Sequence, residues 1–172
     1  MKTNLLNRQC GMTLMEILLV IAVMAILSTS GINSWQGYQQ RQLLEQTSAD
    51  LLAFLSRVQS AANWHNQTYL LHAGMRGNQR CITASQAIFD ARCSSDIGMR
   101  FIFPDTAIAV ELSQSELSLG FYGLRNTAGA GNIVVSNAAG RVRLILSAKG
   151  RLRRCSASIN GHQPYLPGIA RC

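Results

Sequence analysis

Residues 11–27 read GMTLMEILLVIAVMAIL, and this stretch sets a single carboxylate, Glu16, beside an unbroken apolar run. The run extends from Ile17 to Leu27 without a polar residue. The wider window from Met12 to Ile32 contains one charged residue and, as a helix, would be about 31 Å long, which suffices to cross a bilayer. Hydrophobic residues make up 48% of the chain and charged residues 14%, and the apolar excess lies mainly in this segment.

Two simple interpretations of this segment leave Glu16 unexplained. A secretory signal peptide would be cut after the small residues at 28–30, but Glu16 interrupts its apolar block and the helical pattern continues beyond the cut. A plain membrane anchor accounts for the length, but an unpaired carboxylate in a bilayer is costly. Under either interpretation Lys2 and Arg8, which precede the apolar run, predict a cytoplasmic N-terminus.

The hexapeptide GMTLME, from Gly11 to Glu16, resembles the processing motif of type IV pilins and of the pseudopilins of type II secretion. The resemblance implies that prepilin peptidase cuts between Gly11 and Met12 and methylates the new N-terminus, Met12. It implies that the apolar helix is retained in the mature protein. It also implies an assembly role for Glu16, whose carboxylate would pair with the N-terminal amine of a neighbouring subunit.

Helical patterning continues beyond the apolar run to about Ala62. One stripe recurs at intervals of three and four residues, formed by Leu44, Ser48, Leu51, Leu55, Val58 and Ala62. After residues 63–66 the pattern changes to short strands separated by turn residues. These predicted strands cover residues 68–73, 99–103, 107–112, 117–122, 132–136, 141–147 and 151–155.

Short turns between successive strands predict antiparallel pairing. The sequence therefore predicts an α+β protein with the pilin fold that the motif implies: a long N-terminal helical spine packed on an antiparallel β-sheet head domain. We expect a leader peptide at 1–11 that is removed and a helix at 12–62 that is transmembrane to about residue 32. A periplasmic head follows at 63–172.

The segment 121–155 adds a second resemblance, to the terminal strands of H-type minor pseudopilins and FimT-like minor pilins. This resemblance implies a minor subunit that primes or caps a type IV pilus at its tip, together with other minor pilins, the major pilin and the inner-membrane assembly platform. Two alternatives stay open: an H-type minor pseudopilin of type II secretion, and a FimT-like minor pilin that binds DNA for uptake.

Four cysteines lie beyond the apolar run, an even number that suits two disulfides in an oxidising compartment. Four cysteines allow three pairings, and we expect the sequential one, which joins Cys81 to Cys93 and Cys155 to Cys172. Free thiols and a zinc site are the alternatives, but the spacing C-x-x-C, typical of zinc ligands, does not occur. No metal site is therefore expected.

The last third of the chain is basic. The net charge is +8 overall, and no acidic residue follows Glu116. Such a segment is usually a solvated surface or a site for an acidic neighbouring subunit, while arginines can also bind DNA phosphates. The candidate patch consists of Arg141, Arg143, Lys149, Arg151, Arg153 and Arg154.

Catalysis has no support in the sequence. The three histidines, His65, His72 and His162, are scattered and none lies beside a plausible nucleophile. We therefore expect a structural protein without a cofactor, held in the inner membrane by one span, with its head in the periplasm and at the pilus tip after assembly.

Overall fold

The structure, a computed structural model, describes residues 13–86, 93, 99–104, 107–112, 119–123, 126–158 and 165–172, with the backbone alone for 30–33. The chain separates into two units, one ending at Tyr38 and the other extending from Gln39 to Cys172. Helix α1 (Leu14–His65) contributes to both.

The first unit presents apolar side chains that the described part of the chain leaves uncovered. From Leu14 to Leu27 the large hydrophobic side chains are between 46% and 77% exposed. This helix is long and apolar enough to cross a membrane by its length and composition. Burying so much apolar surface is strongly favourable, so this part of α1 requires lipid or other protein around it.

In the second unit, the predicted stripe of α1 is buried. Its six members are at most 1% exposed: Leu44, Ser48, Leu51, Leu55, Val58 and Ala62. Its five apolar members share one core with apolar residues of the sheets, among them Leu71, Val135 and Leu144. Full burial of each leucine or valine contributes about 1.5–3 kcal/mol, so this stripe holds the helix against the head.

In the described part of the chain, nine strands form two antiparallel sheets around this stripe. The first sheet has the order β3-β2-β1-β5-β6 and the second the order β4-β7-β8-β9. The strands are β1 (Tyr69–Arg76), β2 (Gln79–Ser85), β3 (Met99–Ile102), β4 (Ala109–Leu112), β5 (Gly120–Phe121), β6 (Ala128–Gly129), β7 (Gly131–Asn137), β8 (Gly140–Leu146) and β9 (Leu152–Ala157).

The sequence pattern missed two of these strands. β2 pairs with both β1 and β3, and its five residues Cys81–Ser85 are all buried. A strand covered on both faces lacks the alternation by which strands are recognised. β6 has only two residues and lies where the glycines at 129 and 131 had indicated a turn.

Hydrogen bonds tie both ends of strand β8 to α1. At the β7–β8 turn, Asn137 Nδ2 donates to Gln40 O at 2.7 Å and to Gln40 Oε1 at 3.1 Å. At the β8–β9 turn, Gln59 Nε2 donates to Gly150 O at 2.7 Å. Gln40 and Gln59 are about 28 Å apart along the helix. These bonds therefore fix the position of the second sheet along the axis of α1.

Gly150 provides a test of this docking. Its φ is +68°, and a Cβ atom there would lie 2.5 Å from Asn126 O and 2.7 Å from Gln59 Nε2. Gly77 has a similar φ of +60° but open space around its Cα. We expect Gly150→Ala to lower the free energy of unfolding by several kcal/mol, and Gly77→Ala by about 1 kcal/mol, the cost of the backbone conformation alone. Chemical unfolding of the detergent-solubilised chain measures both, and equal losses would contradict the docking.

Candidate functional sites: the start of the helix and the basic strands

Glu16 lies in the first turn of α1, directly after a capping residue. Its backbone N–H donates to Thr13 O at 3.0 Å and to Thr13 Oγ1 at 3.3 Å. Thr-x-x-Glu is the capping-box sequence, and a carboxylate near a helix N-terminus is stabilised by the helix dipole. This local role of Glu16 could have been read from its spacing to Thr13. Gly11 and Met12, the expected processing residues, lie outside the described residues.

Capping does not neutralise the charge of Glu16. Its side chain is exposed among apolar neighbours, with Leu14 and Met15 both 77% exposed. The structure records no cation paired with this carboxylate within the described residues. A carboxylate in an apolar environment requires a positive partner to avoid a large desolvation cost. A partner would therefore have to come from residues outside the described set or from another molecule.

Two exposed aromatic residues follow the apolar part of α1. Trp35 is 61% exposed and Tyr38 is 56% exposed, and their ring centroids are 6.1 Å apart. Tryptophan and tyrosine are enriched where membrane spans meet water, because their rings are apolar and their N–H and O–H groups are polar. The pair is placed where a span that begins near Leu14 would leave the bilayer.

The structure joins Cys81 of β2 to Cys93 and Cys155 of β9 to Cys172. The second disulfide is accompanied by backbone bonds that fasten the C-terminal tail to β9. Ser156 N–H donates to Ala170 O at 2.7 Å, and Cys172 N–H donates to Ser156 O at 3.1 Å. The tail thus forms a short parallel bridge on the outer edge of β9.

Three of the six candidate basic residues share one face of the second sheet. In β8, Val142 and Leu144 are buried in the core, and we call their side of the sheet the core face. Arg141 and Arg143 alternate with them and point to the opposite side, here called the arginine face. Arg153 of β9 pairs with Ile145, and because Ile145 has the same parity as Arg143, Arg153 lies on the arginine face as well.

The other three candidates lie elsewhere, so the patch expected from the sequence is divided. Arg154 pairs with Leu144 and therefore lies on the core face, where it is half-buried. The reason is the two-residue period of a strand, which sends the consecutive Arg153 and Arg154 to opposite faces. Lys149 and Arg151 are exposed beside the β8–β9 turn.

Within the described residues, acidic groups compensate little of this positive charge. Arg141 Nη2 lies 3.7 Å from Glu111 Oε1, and a partly exposed pair at this distance contributes little to stability. Among the residues that the structure describes, the remaining candidates have no salt bridge: Arg143, Lys149, Arg151, Arg153 and Arg154. Nη1 of Arg154 is buried and has no hydrogen-bond partner among the same residues.

The tail disulfide has a measurable consequence. Replacing Cys155 and Cys172 together by serine should lower the free energy of unfolding by about 3 kcal/mol, because the crosslink restricts the unfolded chain over 17 residues. Denaturant unfolding of the detergent-solubilised chain under oxidising conditions measures this loss. Reduction of the variant should then remove only the contribution of Cys81–Cys93. An unchanged unfolding midpoint in the double variant would show that the bond does not stabilise the tail.

Comparison with known proteins gives two matches and one negative result. Residues 6–32 match the family model described as the prokaryotic N-terminal methylation motif. No curated protein matches the chain. Among solved structures, the chain is similar to the type IV minor pilin FimU of Pseudomonas aeruginosa, with 13% sequence identity and a TM-score of 0.50. The similarity covers 67% of this chain and 90% of FimU.

These findings agree with the geometry described above. At this level of identity the match to FimU shows the fold, so the predicted α+β fold of type IV pilins is confirmed. The methylation motif covers the segment that contains Thr13 and Glu16. Motif and fold together support the pilin superfamily.

Proposed function

We propose that this protein is a minor pilin of a type IV pilus that primes or caps the pilus at its tip together with other minor pilins. Prepilin peptidase would cut between Gly11 and Met12, remove the leader 1–11 and methylate the amine of Met12. The single span would then hold the protein in the inner membrane, with the head in the periplasm until the assembly platform transfers it to the pilus tip.

One observation carries this proposal: within the described residues, α1 begins with a carboxylate that has no positive partner and continues into uncovered apolar side chains. Glu16 is exposed and has no cation beside it among the described residues, and large side chains from Leu14 to Leu27 are at least 46% exposed. A packed bundle of such helices would bury this surface. The amine that cleavage creates at Met12 of a neighbouring subunit would neutralise the carboxylate and fix the axial register.

The head domain suits an oxidising compartment. Both disulfides of the described chain lie in the head, and disulfides persist in the periplasm but are rare in the cytosol. The assignment to a minor subunit rests on sequence resemblance. GLRNTA at 123–128 and KGRLRRC at 149–155 resemble prepilin peptidase-dependent protein A of enterobacteria.

Substitution of Glu16 tests the assembly role. Glu16→Ala should lower the number of pili and the recovery of other minor pilins with this one at least tenfold, because breaking one side of a buried ion pair costs about 3–5 kcal/mol. Glu16→Gln should be equally defective, since glutamine still suits the capping box but carries no charge. Pilus counts by electron microscopy and co-purification from membranes measure the two effects.

The matched control is Glu45→Gln, which removes an exposed carboxylate of the same helix beyond its apolar part. It should leave pilus number and co-purification unchanged. If Glu16→Gln assembled as well as the natural protein, Glu16 would act only as a helix cap, and the ion-pair mechanism would be wrong.

A second candidate function is DNA binding at the arginine face, favoured by the basic residues that lack an acidic partner in the described chain. Under this function the double variant Arg151→Ala, Arg153→Ala should lose affinity for duplex DNA at least tenfold, and affinity should fall steeply with salt. Arg57→Ala, on the exposed side of α1, is the control. Gel shifts at low salt decide the matter, and absence of any shift there would exclude this function.

The H-type pseudopilin of type II secretion is the remaining alternative. A pseudopilin would use the same N-terminal helix and the same Glu16 pairing in a secretion system. The two functions are therefore distinguished by the phenotype of a deletion strain. Deletion of the gene should abolish or reduce piliation and leave secretion of exported proteins intact. The reverse pattern would identify a pseudopilin.

A further inference from the structure

The outer edge of β9 has backbone groups that point away from the sheet. Ser156 N–H and C=O both bond to the C-terminal tail, not to β8. Backbone groups of alternate residues point to the same side of a strand, so those of Leu152 and Arg154 also point outward. The turn agrees with this parity, because Ser147 N–H donates to Arg151 O at 3.1 Å, which directs the odd-numbered residues toward β8.

This edge already accepts an added strand at one end. Residues 170–172 run parallel to β9 at Ser156, and the disulfide from Cys155 to Cys172 holds them there. The tail turns at residues 166–169, where Ile169 N–H donates to Leu166 O at 3.5 Å. Within the described chain, nothing bonds to the outward groups of Leu152 and Arg154. Such an open edge is a template for pairing with another chain.

Arginines surround the open edge on both faces of the sheet. Arg153 is exposed on the arginine face, Arg154 lies on the core face, and Arg151 is exposed just before the strand. Arg154 Nη1 is buried without a described hydrogen-bond partner. A DNA backbone laid on one face would contact Arg153 but not Arg154. An extended peptide in the edge position has side chains on both faces and can meet both arginines.

We infer that the edge of β9 from Leu152 to Arg154 binds an extended, acidic segment of another pilin subunit, which adds a strand to the sheet β4-β7-β8-β9. Its backbone would bond to the outward groups of Leu152 and Arg154. Consecutive acidic side chains would pair with Arg153 on one face and Arg154 on the other. The identity of the partner as a pilin rests on the function proposed above; the binding mode rests on the geometry of the edge.

A synthetic peptide tests the binding mode directly. The probe is a blocked, fluorescein-labelled peptide of seven valine and threonine residues with two consecutive glutamates at its centre, titrated with the detergent-solubilised full chain. Fluorescence anisotropy should show saturable binding. Replacing the two glutamates by glutamine should weaken binding at least tenfold. N-methylation of the peptide backbone at both positions should do the same, since one of the two N–H groups faces β9 and is lost whichever way the peptide lies.

A matched pair of variants tests the same edge from the protein side. Leu152→Pro removes one outward N–H but keeps every arginine and the bonds to β8, as proline is tolerated on edge strands. Leu152→Ala also loses most of the leucine side chain, but it keeps the backbone N–H. The proline variant should bind the peptide at least tenfold more weakly than the alanine variant. Circular dichroism and the unfolding midpoint verify that each variant is folded. If the proline variant does not fold, the N-methylated peptide still tests whether backbone pairing contributes to binding.

Three outcomes would overturn the inference: no binding of the glutamate peptide, equal binding of its N-methylated form, or duplex DNA displacing the peptide with higher affinity. The last would assign the arginines to nucleic acid. The result is independent of the pilus assays, because a failure of Glu16→Gln to affect assembly would leave peptide binding unchanged. Conversely, a chain that assembles through Glu16 but ignores the peptide would retain its proposed function and lose this partner site.

Discussion

Helix α1 carries apolar residues along its whole length, and the two units of the chain cover them very differently. In the second unit, the stripe from Leu44 to Ala62 is fully enclosed by the sheets. In the first, the side chains from Leu14 to Leu27 have no cover from the described chain. The hydrophobic effect makes the enclosed stripe of the second unit stable in water and the uncovered apolar surface of the first unit unstable there. The apolar start of α1 is therefore stable only when lipid or other helices surround it.

The apolar start of α1 requires only that some apolar surface covers it, whereas Glu16 requires a positive group at one particular position. Lipid can surround leucine and isoleucine equally well at any position, so apolar contact alone does not fix how far one helix slides along another. A carboxylate that needs a positive partner has one favourable register. Thr13 caps the start of the helix by accepting from the backbone N–H of Glu16. Because glutamate suits this position of a capping box, the glutamine variant is needed to separate charge from capping.

Hydrogen bonds and a disulfide of the second unit fix the position of the β9 edge within the head. Gln40 and Gln59 bond to the two turns that bound β8, and the tail disulfide closes one end of the β9 edge. Leu152 and Arg154 lie on the same strand, between these fixed points. The helix and the edge would thus serve different contacts, one through buried apolar surface and one through backbone pairing with charge.

Much of this architecture follows from local patterns. The stripe of α1 could be predicted because its members recur at helical spacing, and β8 because arginine and aliphatic residues alternate at 141–144. β2 could not, since burial on both faces removes the alternation. The strand predicted at 151–155 already implied that Arg153 and Arg154 point to opposite faces, and treating the six basic residues as one patch overlooked this. The bonds of Gln40 and Gln59 join residues about 90 or more positions apart, which no local pattern reveals.

The most direct measurement is the intact mass of the protein recovered from the membranes or pili of its own host. The expected mass is that of residues 12–172 with one added methyl group and two disulfides. A chain that begins near Gly31, or one that still carries residues 1–11, would lack the amine and the helix start on which the Glu16 pairing depends. Either result would contradict assembly into a pilus.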